Sequence, residues 1–91
     1  MATMKNLSIL GSTGSIGKNA LKIAEMFPGR FAVRAIAAKS NIQLLAEQIR
    51  QFHPEVAVVY DEKLAKELKA LIPNIRTEIV SDPKAINLRQ P

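Results

Sequence analysis

The sequence has 91 residues and contains no cysteine, no tryptophan and a single histidine. The absence of cysteine excludes a disulfide framework, a thiolate nucleophile and thiolate metal ligands. One histidine cannot build a histidine-rich metal centre, so we expect no structural zinc. An apolar content of 47% is ordinary for a globular protein and indicates one small domain or part of a larger one.

Aromatic residues and long apolar runs are also scarce. The chain has one tyrosine and three phenylalanines, and no apolar run approaches the roughly 18 residues that a membrane span requires. The first residues lead into an apolar run that is too short for a secretory signal. We therefore expect a cytoplasmic location and no membrane partner.

The net charge of +5 favours an anionic partner. Three classes compete: a phosphorylated cofactor, nucleic acid and an acidic membrane surface. There is no long basic cluster, and few aromatic side chains are available to stack on bases, so we expect no nucleic-acid partner. A sequence motif supports only the phosphorylated cofactor.

Short apolar runs alternate with segments of helical periodicity along most of the chain. The runs at residues 6–10, 31–37, 56–60 and 77–80 predict four strands with helices between them. This alternation indicates right-handed crossovers and a parallel sheet. We predict an α/β fold, the first half of a doubly wound, Rossmann-like sheet, with strand order 3-2-1-4 and helices on both faces. Residues 1–80 would form this half-domain, and residues 81–91 a short tail or the start of a truncated helix.

Three glycines follow the first predicted strand, in the sequence Gly-Ser-Thr-Gly-Ser-Ile-Gly at residues 11–17. Glycine lets backbone N–H groups approach a phosphate, and the next helix N-terminus carries partial positive charge. A tight turn without a ligand is the simpler interpretation, but the position between strand and amphipathic helix favours dinucleotide binding. Gly17 is expected to serve close packing of the helix rather than ligand contact. The predicted cofactor-binding residues are Gly11, Ser12, Thr13, Gly14, Ser15 and Ile16, with hydroxyl donors from Thr13 and Ser15.

The end of the second predicted strand is the other candidate site. NAD-specific domains place an acid there for the ribose 2′-hydroxyl, but no Asp or Glu occurs between Glu25 and Glu47. Lys39, Ser40 and Asn41 stand there instead, and a cation with two polar groups at a helix start favours the 2′-phosphate of NADP. The competing interpretation is that Lys39 is a solvated lysine and that Ser40 only caps the second helix.

Other candidate groups have structural explanations. His53 precedes a proline at a predicted helix end, which favours a capping or surface histidine over a catalytic one. Asp61 and Glu62 are better explained as a helix cap and a first-turn acid than as paired catalytic carboxylates. Tyr60, at the end of the third predicted strand, either lines the crevice or packs in the core.

The string Ile-Leu-Gly-Ser-Thr-Gly-Ser-Ile-Gly at residues 9–17 closely resembles the N-terminus of the 1-deoxy-D-xylulose 5-phosphate reductoisomerase family. The resemblance continues through residues 27–28, 31–33, 37–41 and 53–58. It implies that Thr13 to Ile16 match the cofactor loop of the family, and that Lys39, Ser40 and Asn41 fall at its second cofactor segment, often Gly-Lys-Asn. The lysine stands one place early here, so either Lys39 or Ser40 would meet the 2′-phosphate.

The resemblance further implies an NADPH-dependent enzyme of non-mevalonate isoprenoid biosynthesis. Such enzymes rearrange a phosphorylated ketose on a divalent cation, Mg or Mn, and reduce the product; the family is expected to be homodimeric. The metal-binding acids and substrate-phosphate groups are expected beyond residue 91, so we assign no catalytic or metal residue here and expect no unaided turnover. Two alternatives stay open: the NADP-binding domain of a semialdehyde dehydrogenase, and a non-catalytic nucleotide-sensing domain.

Overall fold

The computed structural model describes residues 4–81, which form alternating strands and helices. In chain order the elements are β1 (Lys5–Leu10), α1 (Ser15–Met26), β2 (Phe31–Ala38), α2 (Ile42–Phe52), β3 (Val56–Val59), α3 (Glu62–Leu71) and β4 (Glu78–Val80). The predicted α/β alternation is confirmed. None of these helices has the length and apolarity needed to cross a membrane. The predicted tail at residues 81–91 lies, apart from Ser81, outside the described residues.

The four strands form one parallel sheet in the order β1-β2-β3-β4. The predicted order 3-2-1-4 is wrong in the position of β4, which pairs with β3 instead of β1. Thr77 Oγ1 donates to the Pro54 carbonyl at 2.6 Å, and the Glu78 N–H donates to the Glu55 carbonyl at 2.9 Å. These bonds hold the start of β4 beside the start of β3. The chain therefore advances one position and does not cross back over the sheet.

The main core lies on one face of the sheet. It is a single buried cluster that joins the strands to all three described helices, and its members include Ile36, Ile79, Leu21, Leu45 and Leu68. The prediction of helices on both faces is therefore wrong for residues 4–81. A sheet that grows in one direction by right-handed crossovers places every connecting helix on the same side. The opposite side carries a smaller buried cluster of Ala35, Ala37, Val56 and Val58.

A bulge interrupts the pairing of β1 with β2 near the middle of β2. The register between β1 and β2 shifts after Leu7, which leaves Arg34 as an extra residue in β2. Arg34 is exposed, and its guanidinium donates to Asn6 Oδ1 and to Glu55 Oε1, both at 2.9 Å. The bulge thus links β1 and β2 to the segment that enters β3, at the edge of the sheet away from the glycine loop.

The start of α3 and the end of α2 are capped by the residues predicted from the sequence. Asp61 caps α3, because its side chain accepts the N–H groups of Lys63 at 2.8 Å and Leu64 at 3.3 Å. His53 is the C-cap of α2, with φ 49°, and its N–H donates to the Ile49 carbonyl at 2.9 Å. The imidazole is exposed. The predicted capping or surface role of His53 is confirmed.

Candidate nucleotide-binding site

The glycine loop connects the carboxyl end of β1 to the start of α1 and turns at Gly11. Gly11 has φ +73°, in the left-handed region that favours glycine. The Gly14 N–H donates to the Gly11 carbonyl at 3.0 Å and closes the turn. The Ser12 N–H donates at 2.8 Å to the carbonyl of Ala37, near the end of β2. The loop is therefore fixed both to itself and to the neighbouring strand.

Gly17 lies where α1 meets the loop. A Cβ at this position would lie 2.2 Å from the Gly11 carbonyl oxygen and 2.6 Å from Ser12 Cα. Both are backbone atoms, so no side-chain rotation could relieve the overlap. The predicted packing role of Gly17 is confirmed, with the loop itself as the surface against which α1 packs.

Gly14 has a different environment. A Cβ there would meet only the Gly11 carbonyl oxygen, at 3.4 Å, which is ordinary van der Waals contact. Gly14 is exposed and has extended backbone angles, φ −83° and ψ 174°. The space in front of Gly14 is thus open, as a phosphate-binding turn requires.

The N-terminus of α1 has no side-chain cap and no acidic residue in its first turn. By contrast, Asn41 caps α2 and Asp61 caps α3 through side-chain oxygens. The first N–H groups of a helix have no partner within the helix and carry partial positive charge. At α1 these N–H groups lie among exposed residues, which include Ser15 and Ile16. Ile16 has an exposed fraction of 87%. This helix start can receive an anionic group.

Ser12 is set apart from the other predicted loop residues because it is fully buried, with an exposed fraction of 0%. Its hydroxyl donates to Gln48 Oε1 at 2.8 Å, and Gln48 Nε2 donates to the Ser12 carbonyl at 2.8 Å. Thr13 is half-buried, whereas Gly11, Gly14 and Ser15 are exposed. The Ser12 side chain therefore faces the protein interior rather than the open side of the loop.

Sequence reasoning missed Gln48. A signal was present, since Gln48 falls at the spacing of the apolar residues that place one face of α2 in the core. These are Leu45, Ile49 and Phe52. A lone polar residue on an apolar helix face requires a buried hydrogen-bond partner. Its partner lies 36 residues away in the chain, which no local pattern reveals.

The second predicted segment lies directly after β2. Lys39 and Ser40 are exposed, and their side chains make no hydrogen bond or ion pair within residues 4–81. Asn41, rather than Ser40, caps α2, because its Oδ1 accepts the Leu44 N–H at 3.2 Å. The capping interpretation of Ser40 is therefore wrong: β2 continues to Ala38, and the cap position falls one residue later.

The structure brings the two predicted segments to one edge of the sheet. Leu10, just before the loop, pairs with Ala37, just before the second segment, and Ser12 bonds to the same Ala37. Tyr60, which immediately follows β3, is 43% exposed and so is not a core residue. Within the described part of the chain, no three His, Cys, Asp or Glu side chains are grouped so that they could hold a metal ion.

Comparison with known families supports the resemblance seen in the sequence. A family model described as 1-deoxy-D-xylulose 5-phosphate reductoisomerase matches residues 7–88. The chain is 49% identical over 72 residues to the reductoisomerase of Thermodesulfovibrio yellowstonii, covering 79% of this chain and 19% of that protein. It is 48% identical over 86 residues to the reductoisomerase of Proteus mirabilis, covering 92% of this chain and 22% of that protein.

Solved structures give the same picture. The chain superposes on the Zymomonas mobilis reductoisomerase in complex with NADPH with a TM-score of 0.84 and 28% identity, covering 92% of this chain and 22% of that one. A reductoisomerase complex with NADPH, fosmidomycin and magnesium gives a TM-score of 0.78 and 27% identity, covering 91% and 21%. The chain spans about a fifth of the length of these relatives. These comparisons do not favour a semialdehyde dehydrogenase or a nucleotide-sensing domain.

Proposed function

The chain belongs to the 1-deoxy-D-xylulose 5-phosphate reductoisomerase family, and we propose that it forms the NADPH-binding part of such an enzyme. One observation carries this proposal. The uncapped, acid-free N-terminus of α1 stands behind an open glycine turn, at the same sheet edge as an exposed lysine. Backbone N–H groups and helix polarity favour a pyrophosphate at that position.

We assign the pyrophosphate to the exposed side of the glycine loop. Gly11 and Gly14 would admit the phosphates close to the backbone, and Thr13 and Ser15 would add hydroxyl donors. Ile16 would offer its exposed apolar side chain to the cofactor. Ser12, with its side chain turned inward, would contribute by holding the loop in shape.

We assign the 2′-phosphate of NADPH to the segment after β2. Lys39 supplies a positive charge that no described residue neutralises, and Ser40 supplies a hydroxyl next to it. The Asn41 side chain accepts the capping bond of α2 through Oδ1, which leaves its amide N–H groups free to donate. No acidic side chain is present in this segment to hold an unphosphorylated ribose. The arrangement therefore favours NADPH over NADH.

The chemistry of the family would belong to a longer protein. We propose that the segment serves the rearrangement of a phosphorylated ketose and its reduction to 2-C-methyl-D-erythritol 4-phosphate, for which bound NADPH supplies the hydride. The described residues do not fit the divalent cation of that reaction, so no step through a metal is assigned to them. We expect the chain to bind cofactor without turnover; homodimer formation and a cytoplasmic location stay predictions.

Thermal unfolding with NADPH, with NADH and without ligand tests the proposal. A ligand at about one hundred times its dissociation constant adds roughly 2.7 kcal/mol of stability. For a domain of this size, that corresponds to an increase in Tm of about 10–20 °C. We expect this increase with NADPH and a smaller one with NADH. Equal protection by both would contradict the assignment of the 2′-phosphate site, and no protection by either would contradict cofactor binding.

Gly14→Val tests the pyrophosphate site directly. The new side chain would project into the space proposed for the phosphates, so we expect the unliganded Tm to change little and NADPH protection to disappear. Gly29→Val is the matched control, because a Cβ at Gly29 meets no atom within 4 Å and the residue lies away from the loop. NADPH protection of Gly14→Val equal to that of the control would refute the site.

A further inference from the structure

We propose that Gln48 is a positioning residue for cofactor binding, which acts by clamping Ser12 and thereby fixing the glycine loop. The inference rests on the proposed NADPH site for its functional consequence. Gln48 contacts no part of the open face; it lies on the buried side of α2 with an exposed fraction of 6%. Its effect on a cofactor must therefore pass through the loop.

The clamp is a closed pair of hydrogen bonds. Gln48 Nε2 donates to the Ser12 carbonyl at 2.8 Å, and the Ser12 hydroxyl donates to Gln48 Oε1 at 2.8 Å. A carbonyl can only accept, so the amide nitrogen must face it, and the amide oxygen is then fixed toward the hydroxyl. Neither bond is shared with solvent, because both residues are buried. The amide group of Gln48 thus has a single orientation that satisfies both partners.

The clamp completes the fixation of one residue of the loop. The Ser12 N–H already donates to the Ala37 carbonyl at 2.8 Å, so the N–H, the carbonyl and the hydroxyl of Ser12 are all bonded. Ser12 precedes Thr13 and Gly14, whose open side is proposed to receive the pyrophosphate. Because Gln48 holds Ser12 from the buried side of the loop, the hydrogen-bond donors of the following residues are preorganised. This lowers the free energy needed to order them when the cofactor binds.

Packing of the core does not by itself require an amide at position 48. The other buried residues of α2 are Leu45, Ala46 and Ile49, so packing alone would be met by an apolar side chain. An apolar replacement would leave the buried carbonyl and hydroxyl of Ser12 without partners. The loop would then move to regain hydrogen bonds with water, and the cofactor donors would move with it.

Gln48→Met is the first test, with Gln51→Met as a control, since Gln51 is an exposed glutamine on the same helix. We expect Gln48→Met to bind NADPH about tenfold more weakly than the wild type does. Its affinity for NADH should fall by the same factor, because both cofactors would use the pyrophosphate loop. The control should bind as the wild type does. Wild-type affinity in Gln48→Met would overturn the proposal, as would a loss confined to NADPH.

Gln48→Glu tests whether the clamp needs both a donor and an acceptor at this position. A protonated carboxyl offers an O–H donor and a carbonyl acceptor in place of the N–H and the carbonyl of the amide, whereas an ionised one has only acceptors. Burial raises the pKa of a carboxylic acid, so lowering the pH should restore the clamp. The loop has no ionisable side chain, and Lys18, Lys39, Glu47 and Arg50 are exposed. The measurement is the ratio of the NADPH affinity of Gln48→Glu to that of the wild type at the same pH. We expect this ratio to rise as the pH falls. A ratio that does not change with pH would overturn the proposal.

Amide hydrogen exchange keeps the inference testable without a cofactor. In the unliganded Gln48→Met chain, the Ser12 and Gly14 amides should exchange faster than in the wild type, while those of β3 and α3 keep their rates. A uniform increase throughout the chain, or no change at Ser12 and Gly14, would overturn the clamp. If the wild type fails to bind NADPH but the exchange result is as expected, the proposed function fails and the clamp stands.

Discussion

Gly17→Ala should destabilise the fold although alanine is the better helix former. The added Cβ would lie 2.2 Å from the Gly11 carbonyl oxygen, 2.6 Å from Ser12 Cα and 2.8 Å from the Gly11 carbonyl carbon. Non-bonded carbon atoms are most stable about 3.5–4.0 Å apart, so α1 and the loop must separate by roughly 1 Å. Overpacking of this kind costs about 1–3 kcal/mol, and contacts with backbone favour the upper end.

Helix propensity offsets part of that cost. Alanine is favoured over glycine in a helix by roughly 1 kcal/mol, so the expected net loss is about 2 kcal/mol. In a domain of this size, such a loss lowers Tm by roughly 8–16 °C. NADPH affinity should fall as well, because the atoms that must move belong to Gly11 and Ser12 of the loop.

Thermal unfolding followed by circular dichroism measures the effect, with Gly29→Ala as the control. A Cβ at Gly29 would meet no atom within 4 Å, and this glycine does not have a positive φ, so alanine there should leave Tm unchanged or slightly raised. A Gly17→Ala chain as stable as the Gly29→Ala chain would refute the packing argument. It would also mean that α1 can move away from the loop at little cost.

Three further substitutions test the contacts that hold the sheet and helices in place, each by urea unfolding. Asp61→Ala removes both capping bonds of α3 and should cost about 1 kcal/mol; an unchanged midpoint would contradict the capping role. Thr77→Val removes the 2.6 Å bond to the buried Pro54 carbonyl and should cost about 1–2 kcal/mol, with Thr77→Ser retaining most of the stability. Glu55→Gln breaks the exposed ion pair with Arg34 at 2.9 Å and should cost less than about 1 kcal/mol, and less still at high salt; a larger loss would show that the bulge depends on this pair.

The elements of the fold were predictable because each depends on a local pattern. Strand and helix positions follow from apolar periodicity, and the start of α3 follows from Asp61. The position of β4 was not predictable in this way. It depends on bonds from Thr77 and Glu78 to the segment before β3, and a threonine followed by a glutamate has no distinctive sequence signal. The placement of all described helices on one face follows from that same pairing.

Some features of the candidate site were likewise predictable from local sequence, and others depend on distant residues. The glycine spacing and the lack of an acid after β2 are local features, and both predicted segments lie at one sheet edge in the structure. The inward orientation of Ser12 could not be predicted from the loop sequence, because its cause is Gln48 on another helix. The cap of α2 is Asn41 rather than Ser40, and β2 ends at Ala38, one residue beyond the predicted strand.

The three glycines of the loop meet three different physical requirements, although their spacing is regular. Gly11 is needed for its positive φ, and Gly17 is needed because α1 contacts the loop backbone there. Gly14 is under neither constraint, since its φ is −83° and a Cβ would fit. The fold therefore gives no reason for glycine at position 14, whereas a phosphate in front of the loop does. Substitutions at Gly11 and Gly17 should lower stability, and only substitution at Gly14 should remove binding from a chain that remains folded.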